Sequence, residues 1–373
     1  MHIRRLLIDQ LRCLDGVELN LGRGLHVLIG PNGSGKTSVL EAIALLGSGR
    51  SFRAGGKDAL IARGADKLAV FADLEIAGAS HQIGFERSQK AWRGRLNGDD
   101  ITQLTQLVRL APIWVVEPNS HELISGGSEP RRALIDWLLF HVEPTFAGVA
   151  ARYKAALRQR NALLKSECDA RELEPWTAMI TGLGTELAAL RDRYLPDWIS
   201  AVRASAANLL PELGAVALSF KSGWPSDSSP SESLKARLAL QHATSACRVM
   251  KRSAFLARSG LDKQAFVATG AAIACVIDVS RLAVYAGSLS AVFGTLARYH
   301  ALSGEKPVLC LDDLFSELDQ QHQAHCLRLA FDVADQVLVT GVALSDSVSA
   351  WLGKLTYWDV SLGNVSNRSY QTL

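Results

Sequence analysis

The feature that most constrains this chain is Gly30-Pro-Asn-Gly-Ser-Gly-Lys-Thr37, set between an apolar run and a run of good helix formers. Ahead of it, Leu25-His-Val-Leu-Ile29 reads as a strand buried on both faces. Behind it, Ser38-Val-Leu-Glu-Ala-Ile-Ala-Leu-Leu46 has helical propensity throughout. In that order, strand, glycine loop and helix, the glycines let backbone N–H groups converge on phosphate oxygens, and the helix N-terminus adds the positive end of its dipole. Lys36 is then placed to reach β- and γ-phosphates, and the Thr37 hydroxyl to hold Mg²⁺. Gly30, Pro31, Asn32, Gly33, Ser34, Gly35, Lys36, Thr37 and Ser38 are the candidate nucleotide-binding residues.

A site of this kind needs a carboxylate at the C-terminal edge of a buried strand, facing the metal. Val308-Leu-Cys-Leu-Asp312-Asp313 supplies one. Asp312 is the metal-side carboxylate with Thr37, acting through water, and Asp313 is placed to orient or deprotonate an attacking water. Lys36, Asp312 and Asp313 are therefore the candidate catalytic residues.

The chain has 373 residues, which suits about two domains, and its 48% hydrophobic and 21% charged content excludes a disordered or fibrous protein. A net charge of +3 neither requires nor excludes a polyanionic partner. The six cysteines are scattered, with no metal-ligand spacing, so free buried thiols in a reducing compartment are expected. Neither a signal peptide nor an apolar run long enough for a membrane span is found, and a cytoplasmic location is expected. Strands are predicted at His2–Ile8, Val17–Leu21, Leu68–Ile76 and His81–Arg87, with a hairpin turn at Asn97-Gly98. The first ~115 residues read as one mixed sheet around the nucleotide site. From Pro130 to Leu213 the periodicity is helical, punctuated by Pro144, Pro175, Pro196 and Pro211, and the Ser/Pro-rich stretch 222–233 reads as a loop. Strand signals return at Pro307–Leu311 and Gln336–Thr340 around a helical segment, a βαβ unit, so the sheet is built from both ends of the chain.

Ser316-Glu-Leu-Asp319 follows the acidic pair, and together they resemble the Walker B strand and D-loop of ABC-type ATPases, whose two heads sandwich two ATP molecules. The resemblance narrows to the RecF family. It is carried by Met1–Arg53 with Gly49-Arg-Ser-Phe-Arg53, by Ile124-Ser-Gly-Gly-Ser-Glu-Pro-Arg-Arg132, Asp136-Trp137, Phe140-His-Val-Glu-Pro144 and Leu157-Arg-Gln-Arg-Asn161, and by Leu311–Asp319 and Gln336–Gly341. The residues alone reach a P-loop ATPase with a helical insertion. The resemblance implies an α/β protein: a P-loop ABC-type ATPase head with an inserted helical arm lobe, divided as 1–125 (head), 126–242 (arm) and 243–373 (head). It further implies ATP and Mg²⁺, an ATP-dependent homodimer on double-stranded and gapped DNA, slow ATP hydrolysis, and work with RecR and RecO in loading RecA. Roles in DNA replication and the SOS response follow from the same resemblance. A transporter ATPase shares the P-loop and Walker B strand, but the arm match at 124–161 counts against it.

One feature points to DNA independently: Arg152, Lys154, Arg158, Arg160 and Lys165 lie on a helical segment free of acids, a pattern suited to neutralising phosphates. Arg131 and Arg132 are candidates for docking the arm on the head, and Trp137 and His141 for packing. Three family features are missing, two of them, the signature loop and a Gly-Pro-His-Arg-like segment, from one window. The signature loop, a Ser and Gly at a helix N-terminus that caps the partner's γ-phosphate, has only Ala286-Gly-Ser-Leu-Ser290 in its place, and Val116-Glu-Pro-Asn119 offers no glutamine lid. No Gly-Pro-His-Arg-like segment occurs between Leu210 and Tyr299. The window from Ala243 to His300 is nearly devoid of acids while its flanks match the family, which reads as a stretch translated out of frame that returns to frame near Leu296. Sequencing the gene and translating its other frames across this window should restore both motifs; if no frame does, the window is true divergence.

Overall fold

The computed structural model describes residues 1–53, 59–166, 169–209, 211, 218–221, 231–232, 238, 272–275, 281–313, 318, 320–342 and 355–368. In chain order the elements are β1 (His2–Asp9), β2 (Val17–Asn20), β3 (Gly24–Ile29), α1 (Lys36–Ser48), β4 (Lys67–Ile76), β5 (Ala79–Ser88), β6 (Trp92–Leu96), β7 (Asp99–Ile101), α2 (Thr105–Leu110), β8 (Ile113–Val116), α3 (Glu122–Ser125), α4 (Ser128–Val142), α5 (Phe146–Leu163) and α6 (Ala170–Leu209). There follow β9 (Leu218–Lys221), β10 (Ala272–Cys275), α7 (Arg281–Ser303), β11 (Val308–Leu311), α8 (Gln320–Val333), β12 (Gln336–Gly341), β13 (Leu355–Ser361) and β14 (Asn364–Arg368). They form two compact units: Met1–Ser125 with Ala201–Val216 and Ile277–Leu373, and Gly126–Ser200 with Ala217–Val276.

The first unit holds two six-stranded sheets, not the single mixed sheet predicted for the first ~115 residues. One is antiparallel, in the order β2-β1-β4-β5-β6-β7; the other runs β14-β13-β3-β12-β11-β8 and is parallel except for β14. Burial explains the division. β4 alternates buried and half-buried residues, as a strand with one covered face does, whereas β11 and β12 are buried at every position and need cover on both faces. Helix α1, buried along most of its length, shares one core with both sheets: Val39, Ile43 and Leu46 join Ile8, Val70 and Phe85 from the first sheet and Cys310, Leu338 and Val360 from the second. The βαβ unit predicted at 307–340 is present as parallel β11 and β12 around α8. The Asn97-Gly98 turn joins β6 to β7, with both residues at positive φ (52° and 93°).

A single buried amide ties the two sheets together. Gln336, fully buried at the start of β12, accepts a hydrogen bond from Ile3 N–H (2.8 Å) and donates to the carbonyls of Ile3 and Gly22 (2.8 Å each). Between Ile3 and Arg5 the register of β1 against β4 shifts, so the side chain serves backbone groups beside an irregular stretch of ladder.

In the second unit, Pro144 falls between α4 and α5 as expected, but Pro175 and Pro196 lie inside the 40-residue α6 and do not end it. Each removes one intrahelical hydrogen bond, and packing offsets the loss. Ile180, Leu183, Leu187 and Leu190 are buried, and Arg191 grips Asp136 of α4 through two bonds (2.8 and 2.9 Å). Trp137 and His141 pack on each other with ring centroids 4.4 Å apart. Arg131 and Arg132 bond to the backbone at Gly126 and Ser128, at the start of their own helix. Cys310 and Cys326 are free, buried thiols whose pKa values burial pushes up, while Cys13 is exposed. Among the described residues no helix is long and apolar enough to cross a membrane.

Replacing Gln336 with Leu would leave the Ile3 N–H and two carbonyls buried without partners. Urea denaturation should show the variant less stable by about 2–5 kcal/mol, since each unsatisfied buried group costs about 1–3 kcal/mol.

Candidate nucleotide site

Three neighbouring parallel strands, β3, β12 and β11, end at the same edge of the second sheet, and their next residues make the site. From β3 the chain turns through Gly30–Gly35 into α1. Gly35, the residue before α1, has φ 116°, a left-handed conformation that a side chain would strain, and Gly30 leaves no room for one: an added Cβ would stand 2.0 Å from the Val360 carbonyl oxygen. The first intrahelical bond runs from Val39 N–H to the Gly35 carbonyl (3.1 Å), so the N–H groups of Lys36, Thr37 and Ser38 lie ahead of it. The hairpin of β13 and β14 supports this loop, its turn residue Gly363 donating to the Ser34 carbonyl (2.9 Å).

Lys36 folds back over the loop, its ammonium donating to the carbonyls of Gly30 (2.7 Å) and Pro31 (2.9 Å). Burial holds its pKa below the usual lysine value, opposed by Asp313 and Asp312. Asp312 ends β11 and is bracketed by two hydroxyls: Thr37 of α1 (3.0 Å) and Thr340 of β12 (2.7 Å) both donate to Oδ1. Thr340 in turn accepts from the backbone N–H of Asp313 (2.8 Å), which sits at φ 52°. Burial raises the Asp312 pKa above the ordinary carboxylate value; the two threonine bonds oppose that, and Asp313 adds to it. Glu117, just past β8, is likewise raised by burial, then by Asp312 and Glu122.

These groups line a cleft of ≈ 590 Å³, a size suited to a nucleotide. Asn32, Gly33, Gly35, Lys36, Thr37, Ser38, Asp312 and Asp313 all border it, so the structure brings the two predicted halves together. Gly30 and Pro31 contribute carbonyls to Lys36, and Ser34 is buried, its hydroxyl without a hydrogen-bond partner among the described residues. A phosphate oxygen could satisfy both the Ser34 hydroxyl and the Lys36 ammonium. No three acidic, His or Cys side chains among the described residues converge as a metal cage.

Thr340, Arg12, Phe52 and Arg53 also border the cleft, and the sequence assigns none of them a role in the site. Thr340 was the most accessible of these, as the last polar residue of a strand predicted to run beside the Asp312 strand. Glu117 and Asn119 lie where a glutamine lid was sought. Of the D-loop-like stretch, Ser316, Glu317 and Asp319 lie outside the described residues, as does most of the window from Ala243 to His300. Ala286–Ser290 is described, and it is not at a helix N-terminus. It lies in the second and third turns of α7, where Ala286, Ser288, Leu289 and Ser290 are buried and Ser290 donates to the Ala286 carbonyl (2.8 Å).

Comparison with known proteins decides the family. A DNA replication and repair protein RecF from Stenotrophomonas maltophilia (strain R551-3) is 38% identical over 345 residues, covering 91% of this chain and 92% of the relative. The chain belongs to the RecF family. A family model described as the RecF/RecN/SMC N terminal domain matches residues 2–127 of this RecF-family chain. The fold agrees with that of a solved RecF, described as the recombination mediator protein RecF-ATP in the RecFOR pathway: TM-score 0.78, 21% identity, covering 98% of this chain and 97% of that one. An SMC head bound to the C-winged helix domain of ScpA matches with TM-score 0.58 at 15% identity, over 100% and 98% of the chains. The fold class is thus the one expected, an α/β head of the ABC and SMC kind with a helical lobe.

The raised pKa of Asp312 has a consequence for the nucleotide-free protein. Between its unfolded and folded pKa values the folded state holds the extra proton, so stability falls as pH rises through that interval. Asp312→Asn keeps an acceptor for both threonines without the charge. Thermal melts should show the two proteins equal at low pH and the variant more stable at neutral pH, with the gap opening as pH climbs from the ordinary Asp value.

Proposed function

We propose that this RecF-family chain is an ATP-switched DNA-binding protein with slow ATPase activity, acting in DNA repair and replication in the cytoplasm. The observation that supports it most is the joining of the Gly30–Ser38 loop to Asp312 by the Thr37 bond, which sets a phosphate cradle beside a metal-side carboxylate. In this reading Lys36 leaves the Gly30 and Pro31 carbonyls for the β- and γ-phosphate oxygens, and the N–H groups at the start of α1 take the remaining ones. Mg²⁺, when bound, would be held on the protein side by Thr37 and Asp312 and would neutralise phosphate charge. Asp313, held in its turn by the bond to Thr340, orients a water and takes its proton.

DNA is the second ligand of this reading. On α5, Lys154 and Arg158 are exposed at i and i+4, with Arg152 and Lys165 exposed nearby. Arg160 does not join them: it is buried, donating to Thr177 (3.2 Å) and to the Leu238 carbonyl (2.6 Å). Four exposed cations without sequence-reading partners suit duplex or gapped DNA held by its backbone, with strong salt dependence. Head 1–125 and 243–373 with arm 126–242, ATP-dependent homodimerisation, and action with RecR and RecO belong to the same proposal; for the last, support comes from the solved relative described in the RecFOR pathway.

A second reading is favoured by one observation. With Ala286, Ser288, Leu289 and Ser290 buried inside α7, that segment cannot cap a partner's γ-phosphate. The chain would then bind ATP and DNA without productive dimerisation or turnover. Sedimentation on a short duplex, with and without ATP·Mg²⁺, separates the two. An ATP-dependent dimer on DNA, abolished by Lys36→Met, supports the switch; ATP binding with no dimer establishes the second reading, and no ATP binding overturns both.

A further inference from the structure

A second cleft, of ≈ 390 Å³, opens beside the nucleotide site, where the loop after α1 meets the β5–β6 end of the antiparallel sheet. Its floor is apolar, with Phe85 and Leu60 both buried. Its rim is cationic: Arg50 and Arg53 come from the loop after α1 and Arg87 from β5, and among the described residues no carboxylate lines it. Lys90, exposed in the turn between β5 and β6, adds to the positive edge.

The absence of pairing sets these three arginines apart from their surroundings. In the same sheet Lys67 pairs with Glu86 (2.7 Å) and Arg93 and Arg95 share Asp100 (2.6 and 3.1 Å), while Arg12, which also borders the cleft, is matched by the buried carboxylate of Glu41. Among the described residues Arg50, Arg53 and Arg87 have no ion-pair partner. Arg53 also acts electrostatically on Asp312 of the nucleotide site, which leaves Arg50 and Arg87 as like charges bordering one cavity, and an anion would relieve their repulsion.

The rim also carries an aromatic. Trp92 is 40% exposed, and it stands directly across the β5–β6 ladder from Arg87. Opposed residues in an antiparallel pair bring their Cβ atoms to about 5 Å, so indole and guanidinium share one edge of the cleft. An indole face beside unpaired guanidiniums matches a group that is at once anionic and flat, as a nucleotide is. Bases inside a duplex have both faces covered by stacking, so only an unpaired base can lie on Trp92.

We propose that this cleft is a single-strand subsite taking one unpaired nucleotide of DNA, its phosphate on Arg50 and Arg87 and its base on Trp92. The inference rests on the reading of the chain as a DNA-binding protein, and it places an unpaired strand next to the nucleotide site, separately from the α5 cations. A duplex interrupted by a gap or ending in a tail offers such a strand, and a blunt duplex does not.

Fluorescence anisotropy on the full-length chain tests it, using a labelled oligothymidylate-tailed duplex and the matching blunt duplex. Trp92→Ala and Arg87→Gln should each weaken binding of the tailed duplex by about tenfold and leave the blunt duplex unchanged, whereas Trp92→Phe should keep most of the wild-type affinity, as expected for base stacking on an aromatic face. Arg87→Gln should also reduce the salt slope of tailed-duplex binding by about one. Equal binding of the tailed duplex by wild type and both variants overturns the subsite while leaving DNA binding intact. Failure of the wild type to bind either duplex overturns the DNA reading and the subsite together. If Trp92→Ala instead weakens a fluorescent ATP analogue about tenfold, the cleft is an extension of the ATP site. If poly-glutamate displaces the tail and is itself weakened in both variants while DNA binding persists, the cleft is a surface for an acidic protein. Either result overturns the proposal.

Discussion

Everything in the nucleotide site hangs on one carboxylate oxygen. Asp312 Oδ1 accepts hydroxyl bonds from Thr37 at the start of α1 and from Thr340 at the end of β12, so one buried atom fixes a helix and two strands relative to one another. The charge is costly where it stands, as the raised pKa shows, and two short neutral donors compensate it only in part. The site therefore stores a deficit that a cation next to Asp312 would remove. Lys36 carries the opposite deficit, an ammonium driven toward neutrality by burial and satisfied for now by the carbonyls of Gly30 and Pro31. Cation and anion deficits a few residues apart are complementary to a ligand that brings both charges, a metal with a polyphosphate.

Parallel topology is what makes this arrangement possible. Because β3, β12 and β11 run in the same direction, their C-terminal ends converge on one edge, and residues separated by about 300 positions become neighbours. Register completes the job: Leu311 pairs with Val339 and Ile29 with Gly341, which sets Asp312 beside Thr340 and both beside the glycine loop. Gln336 performs a related task at the other end of β12, holding β1 of the antiparallel sheet to the parallel one. One strand thus carries a sheet-to-sheet tie at its start and a site-building hydroxyl at its end.

Much of this was legible in the sequence, for local reasons. The glycine loop, its flanking strand and helix, the acidic strand end and the Asn97-Gly98 turn are each encoded within a dozen residues by spacing and composition. What escaped was non-local. Whether β1 and β3 share a sheet depends on which faces are covered, and the hairpin of β13 and β14, which buttresses Ser34, lies beyond any motif. Prolines misled for a physical reason: Pro175 and Pro196 weaken α6 locally, but side-chain burial and the Arg191–Asp136 grip outweigh two lost backbone bonds. Arg160 misled similarly, since a charge count along α5 cannot tell that one cation turns inward to satisfy the Leu238 carbonyl.

The two halves of an ABC-type ATP site answer to different constraints, and that bears on how the chain's departures are weighed. The cis half is inseparable from folding: Thr37, Asp312 and Thr340 are buried or half-buried ties between elements, so losing one disturbs the core before it disturbs chemistry. The trans half has no such protection. A signature segment acts only on a second subunit, whereas Ala286, Ser288, Leu289 and Ser290 pack inside α7, a few residues before Gly294, which packs so closely on Val202 that a Cβ would stand 2.5 Å from its Cα. A cradle tied into the core in this way persists whether or not the trans half is retained. The retained P-loop is accordingly strong support for nucleotide binding and weak support for turnover.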